Sequence, residues 1–213
     1  MAFSTCLRQS ILALAISVSL SGNAQSAFYD VFMDTTGLSG SAAQLAVDLV
    51  DGDGTVNNTL SISGFTTDGS LGGVTLTGGA SGSLAAGAGI ADTDFFNEFL
   101  QGLTLGSAIR FRLDSSSNLA AGAAVPDRIS VFLLDSAGLP LVTTTLLGDA
   151  LFTLDLDGSA DGLLDVTAGT IPPLGLSVKV PDGRAPEPGS DVLLLLGLAF
   201  AVAFGKKQVR ERG

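Results

Sequence analysis

Along residues 25–184 apolar and polar side chains repeatedly alternate with a period of two, in short runs separated by Gly, Asp and Ser. That spacing sends successive side chains to opposite faces of a strand, so each run predicts one buried and one wetted face. The clearest run sets Ile109, Phe111 and Leu113 against Arg110 and Arg112. Leu45, Val47 and Leu49 alternate in the same way with Gln44, Ala46 and Asp48, and Phe152, Leu154 and Leu156 with Thr153 and Asp155. Further strands are expected at 28–33, 59–65, 73–77, 129–134, 142–147, 163–167 and 174–180. Many short strands with turn residues between them predict an all-β fold, an antiparallel β-sandwich of jelly-roll-like form. The segment 92–106 has the least strand-like start and is expected to open with a helical turn. Its adjacent Phe95 and Phe96 are expected to plug the core between the sheets.

Both ends break this pattern. Arg8 precedes an apolar run from Ile11 to Leu20, followed by Ser21, Gly22, Asn23 and Ala24. This is the three-part layout of a secretory signal peptide over residues 1–24, a signal helix handled by the Sec translocon and cut after Ala24. A cut after Ser26 places Ala24 and Ser26 at the same two small-residue positions. Near the other end, Pro186, Glu187 and Pro188 precede an uncharged run from Val192 to Phe204 and then Lys206, Lys207, Arg210 and Arg212. Basic residues after an apolar span stay on the cytoplasmic side, which places the preceding domain outside. As a transmembrane helix the run is short: at ~1.5 Å per residue it covers about 20 Å of a ~30 Å hydrocarbon core. The chain therefore divides into a signal peptide (1–24), a β-sandwich domain (25–184) and a tail (185–213).

Ala185-Pro186-Glu187-Pro188, the Leu-rich span and the basic end resemble the PEP-CTERM sorting domain of Gram-negative bacteria. The resemblance implies a processing partner, the membrane protease exosortase, with Pro186, Glu187 and Pro188 as its recognition site. It also implies a cell-surface or matrix protein connected with exopolysaccharide and biofilm. Asp191 at the head of the span and Gln208, Val209 and Glu211 among the basic residues depart from the family pattern. The alternative for the same residues is a plain anchor that leaves a periplasmic β-domain tethered. The middle of the chain resembles domains found ahead of such tails, in Phe28-Tyr29-Asp30-Val31, Asp34-Thr35-Thr36-Gly37-Leu38 and the Phe95 to Gly106 segment. That second resemblance implies architecture alone.

Charge and composition narrow the chemistry. Residues 25–185 hold 18 acidic and 5 basic side chains, a balance of −13. Such a surface repels phosphate backbones, so nucleic acid is not an expected partner. The chain has no His, which removes the usual general base near neutral pH, and its one cysteine, Cys6, lies in the signal segment. No pair of carboxylates stands out for acid/base work, and the expectation is a non-catalytic protein without a cofactor. One weak calcium candidate is present: Asp157, Ser159, Asp161, Gly162 and Asp165 match the early positions of an EF-hand-like loop, with Ala168 where the last carboxylate belongs. A hairpin rich in Asp and Gly accounts for the same residues. Asp51-Gly52-Asp53-Gly54 has Val56 where the loop needs Gly and reads as a turn. A secreted carbohydrate-binding module is the alternative function; the chain offers no Trp and a single Tyr, Tyr29, as a sugar platform.

Overall fold

The computed structural model describes residues 26–167 and 174–180. The signal segment with Ala24, the sorting motif Pro186-Glu187-Pro188, the apolar span and Lys206, Lys207, Arg210 and Arg212 lie outside them. No helix among the described residues is long and apolar enough to cross a membrane.

Twelve strands carry the described chain: β1 (Ser26–Asp34), β2 (Ala42–Val50), β3 (Thr59–Thr67), β4 (Ser70–Thr77), β5 (Gly79–Ser83), β6 (Gly87–Ala91), β7 (Phe96–Thr104), β8 (Ala108–Ser116), β9 (Asp127–Leu134), β10 (Phe152–Leu156), β11 (Leu163–Val166) and β12 (Gly175–Lys179). They form two six-stranded sheets, ordered β12-β1-β8-β3-β6-β5 and β11-β10-β9-β2-β7-β4, and every pairing is antiparallel. The pairs β1·β8, β2·β7 and β3·β6 nest inside one another, so the chain runs like a long hairpin wound across both sheets. The expectation of an all-β, two-sheet antiparallel protein is met.

The alternation in the sequence is the alternation of burial. Tyr29, Met33, Ile62, Ile109 and Leu113 from one sheet meet Leu45, Leu49, Phe99, Ile129 and Phe152 from the other in a single apolar cluster. Burying each such side chain contributes roughly 1.5–3 kcal/mol, which makes this cluster the main source of stability. Arg110 and Arg112 stand on the wetted face of β8, where Arg112 pairs with Asp30 of β1 and Arg110 lies over the Phe32 ring.

Three expectations need correction. Residues 92–95 do not open a helix; they bend, and β7 begins at Phe96. Phe95 and Phe96 do not plug the core, being 75% and 41% exposed. The strand parity explains this: Asn97, Phe99, Gln101 and Leu103 take the inward positions, which sends Phe96 outward. Residues 142–147 form no strand, because side chains capture the backbone instead: Thr144 N–H donates to Asp149 Oδ1 and Thr144 Oγ1 to the Ala150 carbonyl. Two strands had no alternation to announce them. β5 and β6 are built from Gly, Ala and Ser, with Ile90 the one large side chain.

Candidate functional site

Three connections gather at one end of the sandwich, because β2, β3, β6, β7, β8 and β9 all start or finish there. They are residues 51–58, 92–95 and 117–126. The Asp51-Gly52-Asp53-Gly54 string makes the turn its letters promised. Asp51 Oδ1 accepts from Gly54 N–H at 2.6 Å and Asp53 Oδ1 from Thr55 N–H at 2.8 Å. Pairing of β2 with β9, Val50 opposite Arg128, then brings in a residue from far along the chain. Asp127, the first residue of β9, points inward with no exposure.

Asp51, Asp53 and Asp127 each have a carboxylate oxygen within 4.8 Å of the others. An all-oxygen cluster of this size matches what a hard cation such as calcium takes. Its hydrogen bonds describe a different use. Asp127 Oδ1 accepts from the amides of Gly52 (2.8 Å) and Asp53 (3.2 Å), and Oδ2 accepts from Asn58 Nδ2 at 2.7 Å. Asp53 Oδ2 accepts from Ala120 N–H at 2.6 Å and from Asn57 Nδ2 at 3.2 Å. Buried Asn58 also receives Asn118 N–H (2.9 Å) and Ser116 Oγ (3.0 Å) on its own oxygen. Beside it, Asp92 Oδ2 accepts the Asn57 and Asn58 amides, while its buried Oδ1 has no partner among the described residues. The result is a polar brace in which carboxylates and amides tie three loops together. The amides and side chains of Asn57 and Asn58 are spent on this brace. Phe95 and Phe96 stand at the same end: Asp51 N–H donates to the Phe95 carbonyl, and Phe96 pairs with Val50.

The loop singled out in the sequence is the connection between β10 and β11. Asp157 Oδ1 accepts both the amide (3.0 Å) and the hydroxyl (2.6 Å) of Ser159, which hold its carboxyl below the ordinary range. The Asp161 carbonyl accepts the buried Tyr29 hydroxyl, and Asp165 lies in β11 opposite Thr153. Among the described residues the gathering of three or more carboxylates is at Asp51, Asp53 and Asp127, and Asp157, Asp161 and Asp165 form no such group. Gly162 is required for the hairpin itself. Its φ is +61°, and an added Cβ would meet Leu154 Cδ1 at 2.7 Å and the Asp155 carbonyl at 2.8 Å.

A carboxylate pair sits on the outer face of the sheet, two residues in from the Val50–Phe96 pair that borders this end. Asp48 of β2 lies directly opposite Glu98 of β7 and, on its other side, Ser130 of β9. Among the described residues Asp48 Oδ1, which is buried, has no hydrogen-bond partner. Loss of water and the facing Glu98 push the Asp48 carboxyl up to about 7. Alternation placed Asp48 on the outer face, but nothing in the local sequence put a second acid beside it. Asp127, Asp92 and Asn58 were likewise invisible as a set, since only strand pairing brings positions 51–58, 92 and 127 together.

The geometry thus defines an all-β, two-sheet protein with an acidic brace, tied by backbone and side-chain amides, at one end. Comparison of the chain with models of known protein families, with curated proteins and with solved structures finds no match.

Proposed function

We propose that this chain is an exported, non-catalytic cell-surface or matrix protein, a jelly-roll domain flanked by a signal helix and a C-terminal membrane helix. On this reading the Sec translocon exports it, the tail holds it in the inner membrane as a precursor, and exosortase releases it at Pro186-Glu187-Pro188 toward the surface. The role is connected with exopolysaccharide and biofilm. The observation that carries the proposal is the order of signals in the sequence: signal peptide, domain, Pro-Glu-Pro, apolar span, basic cluster. The two-sheet fold suits it, because the domain closes its core from its own strands and contains no cysteine to depend on an oxidising partner. Replacing Pro186, Glu187 and Pro188 with alanine should trap the precursor in the inner membrane. Intact mass of the surface-exposed protein should lack the residues beyond about Pro188. Lys206 to Gly213 still attached at the surface would leave the plain anchor and its periplasmic domain as the reading.

One observation favours a second function, the carbohydrate-binding module. Phe95 and Phe96 present exposed rings at the end that also carries Asp51, Asp53 and Asp94, and sugars are held by ring faces together with carboxylates. A glycan array probed with the wild-type chain and with Phe95→Ala discriminates the two. Saturable binding lost in the variant supports the module, and silence on all glycans supports the structural role.

A further inference from the structure

Among the described residues four strands form the edges of the two sheets: β5 and β12 in one, β4 and β11 in the other. An edge strand offers a row of unpaired N–H and C=O groups to any other strand, and proteins usually blunt it with charge, proline, bulges or shortness. Three of the four are blunted. β11 has four residues and carries Asp165, β12 has five and ends in Lys179, and β5 has five, all Gly, Ala or Ser. β4 differs. It has eight residues, no charge and no proline, and its one irregularity is the register shift at Gly72-Gly73 against β7.

The side chains of β4 add a second reason to seek a partner. Leu71, Val74 and Leu76 stand opposite Leu103, Gln101 and Phe99, so they share the inward face of the sheet. They are nevertheless 37%, 38% and 45% exposed. The facing sheet ends in β5, whose Gly, Ala and Ser side chains are too small to cover them. Gln101 Nε2 donates to the Gly72 carbonyl and Asn97 Oδ1 accepts Gly79 N–H, which fixes β4 and its exit turn against β7. The edge is therefore both open and held in a strand conformation.

Charge indicates which partner. Residues 70–91 contain no ionisable side chain, within a segment that holds 18 acidic against 5 basic residues. Two copies of so acidic a chain repel over most of their surface, and this uncharged stretch is where they approach without that penalty. The strand is also complementary to itself. Antiparallel pairing about a twofold axis at Thr75 places Val74 of one copy opposite Leu76 of the other, twice, on the inward face. We propose that β4 is the site of self-association: two copies pair β4 to β4, antiparallel about Thr75, and continue the β11-β10-β9-β2-β7-β4 sheet from one protomer into its partner. This proposal does not depend on the sorting tail.

The test uses the full chain with Cys6 replaced by alanine. Thr75→Cys introduces a thiol whose Cα should lie ~4.5–5.5 Å from its symmetry mate, a separation that a disulfide spans. Mild oxidation should convert most of that variant to a covalent dimer, whereas Thr55→Cys, exposed on the loop end of the sandwich, should stay monomeric. Adding Val74→Lys should abolish the Thr75→Cys cross-link, because it sets a charge on each copy at the seam. Val74 is exposed, so circular dichroism should show the variant folded. Cross-linking at Thr75 no greater than at Thr55, or cross-linking that survives Val74→Lys, would overturn the proposal. Association driven by the tail would give that second result.

Discussion

Asp127 and Asp48 occupy neighbouring strands of one sheet, yet they stand in opposite conditions. Asp127 is fully buried and accepts three N–H bonds, two from the Gly52 and Asp53 amides and one from Asn58. Asp48 is partly open to solvent, has an oxygen with no partner among the described residues, and faces Glu98 in register. Burial alone does not decide whether a carboxylate fits its place; the donors aimed at it do. The loop end of the sandwich supplies amides because its turns leave N–H groups without a ladder partner. The middle of a sheet has already used its amides between strands, so an acid there finds only other side chains.

The same substitution at the two positions should therefore have opposite signs. Asp127→Asn turns one acceptor oxygen into a donor aimed at other donors, and unfolding in urea should show a loss of about 2–3 kcal/mol. No loss would mean that the brace is not what joins the three loops. Asp48→Asn should stabilise the protein at pH 8.5, on the order of 1 kcal/mol after allowance for solvent at this half-open site, and should do little at pH 5.

The wild-type pH profile sharpens this contrast. The folded Asp48 carboxyl titrates near 7 against an ordinary 3.8, so the folded state keeps a proton that the unfolded chain has released. Its contribution is fully present below about 4 and is lost as pH rises through 7. The urea midpoint should fall between pH 5.5 and 8.5, and the slope should vanish in Asp48→Asn. The chain has no His, which leaves this window free of the usual titrating side chain. Asp68 acts elsewhere: the Ser107 hydroxyl and the Ser107 and Ala108 amides hold its carboxyl down near 2. Its stabilising effect is present above about 4 and is lost only as pH falls toward 2.

The smallest effect is expected from calcium. Asp51, Asp53 and Asp127 already accept amide hydrogens, so excess calcium should move the melting temperature by about a degree or less. A rise of several degrees would show that the cluster binds the ion, since ligand in excess stabilises by ~RT ln(1 + [L]/Kd). It would also dissolve the contrast with Asp48, because a cation rather than amides would then be the natural partner of the buried acid.

What could be read along the chain was whatever depends on near neighbours. Period-two alternation located β1, β2, β3, β8, β9 and β10, and in β2, β8 and β10 it assigned the inward residues, because a strand's faces follow from parity alone. The Asp157 to Gly162 hairpin and the Asp51 to Gly54 turn were legible from Asp and Gly, whose side-chain acceptors and positive φ act within a few residues. β5 and β6 were hidden because Gly, Ala and Ser carry no alternation, and Phe95 and Phe96 were misplaced because the local pattern does not say where β7 starts. Tertiary structure alone decided which distant residues meet. Asp127 reaches Asp53 and Asn58, and Asp48 meets Glu98, through strand register set by the whole two-sheet core. Register is a property of pairing, and no window of sequence contains both partners.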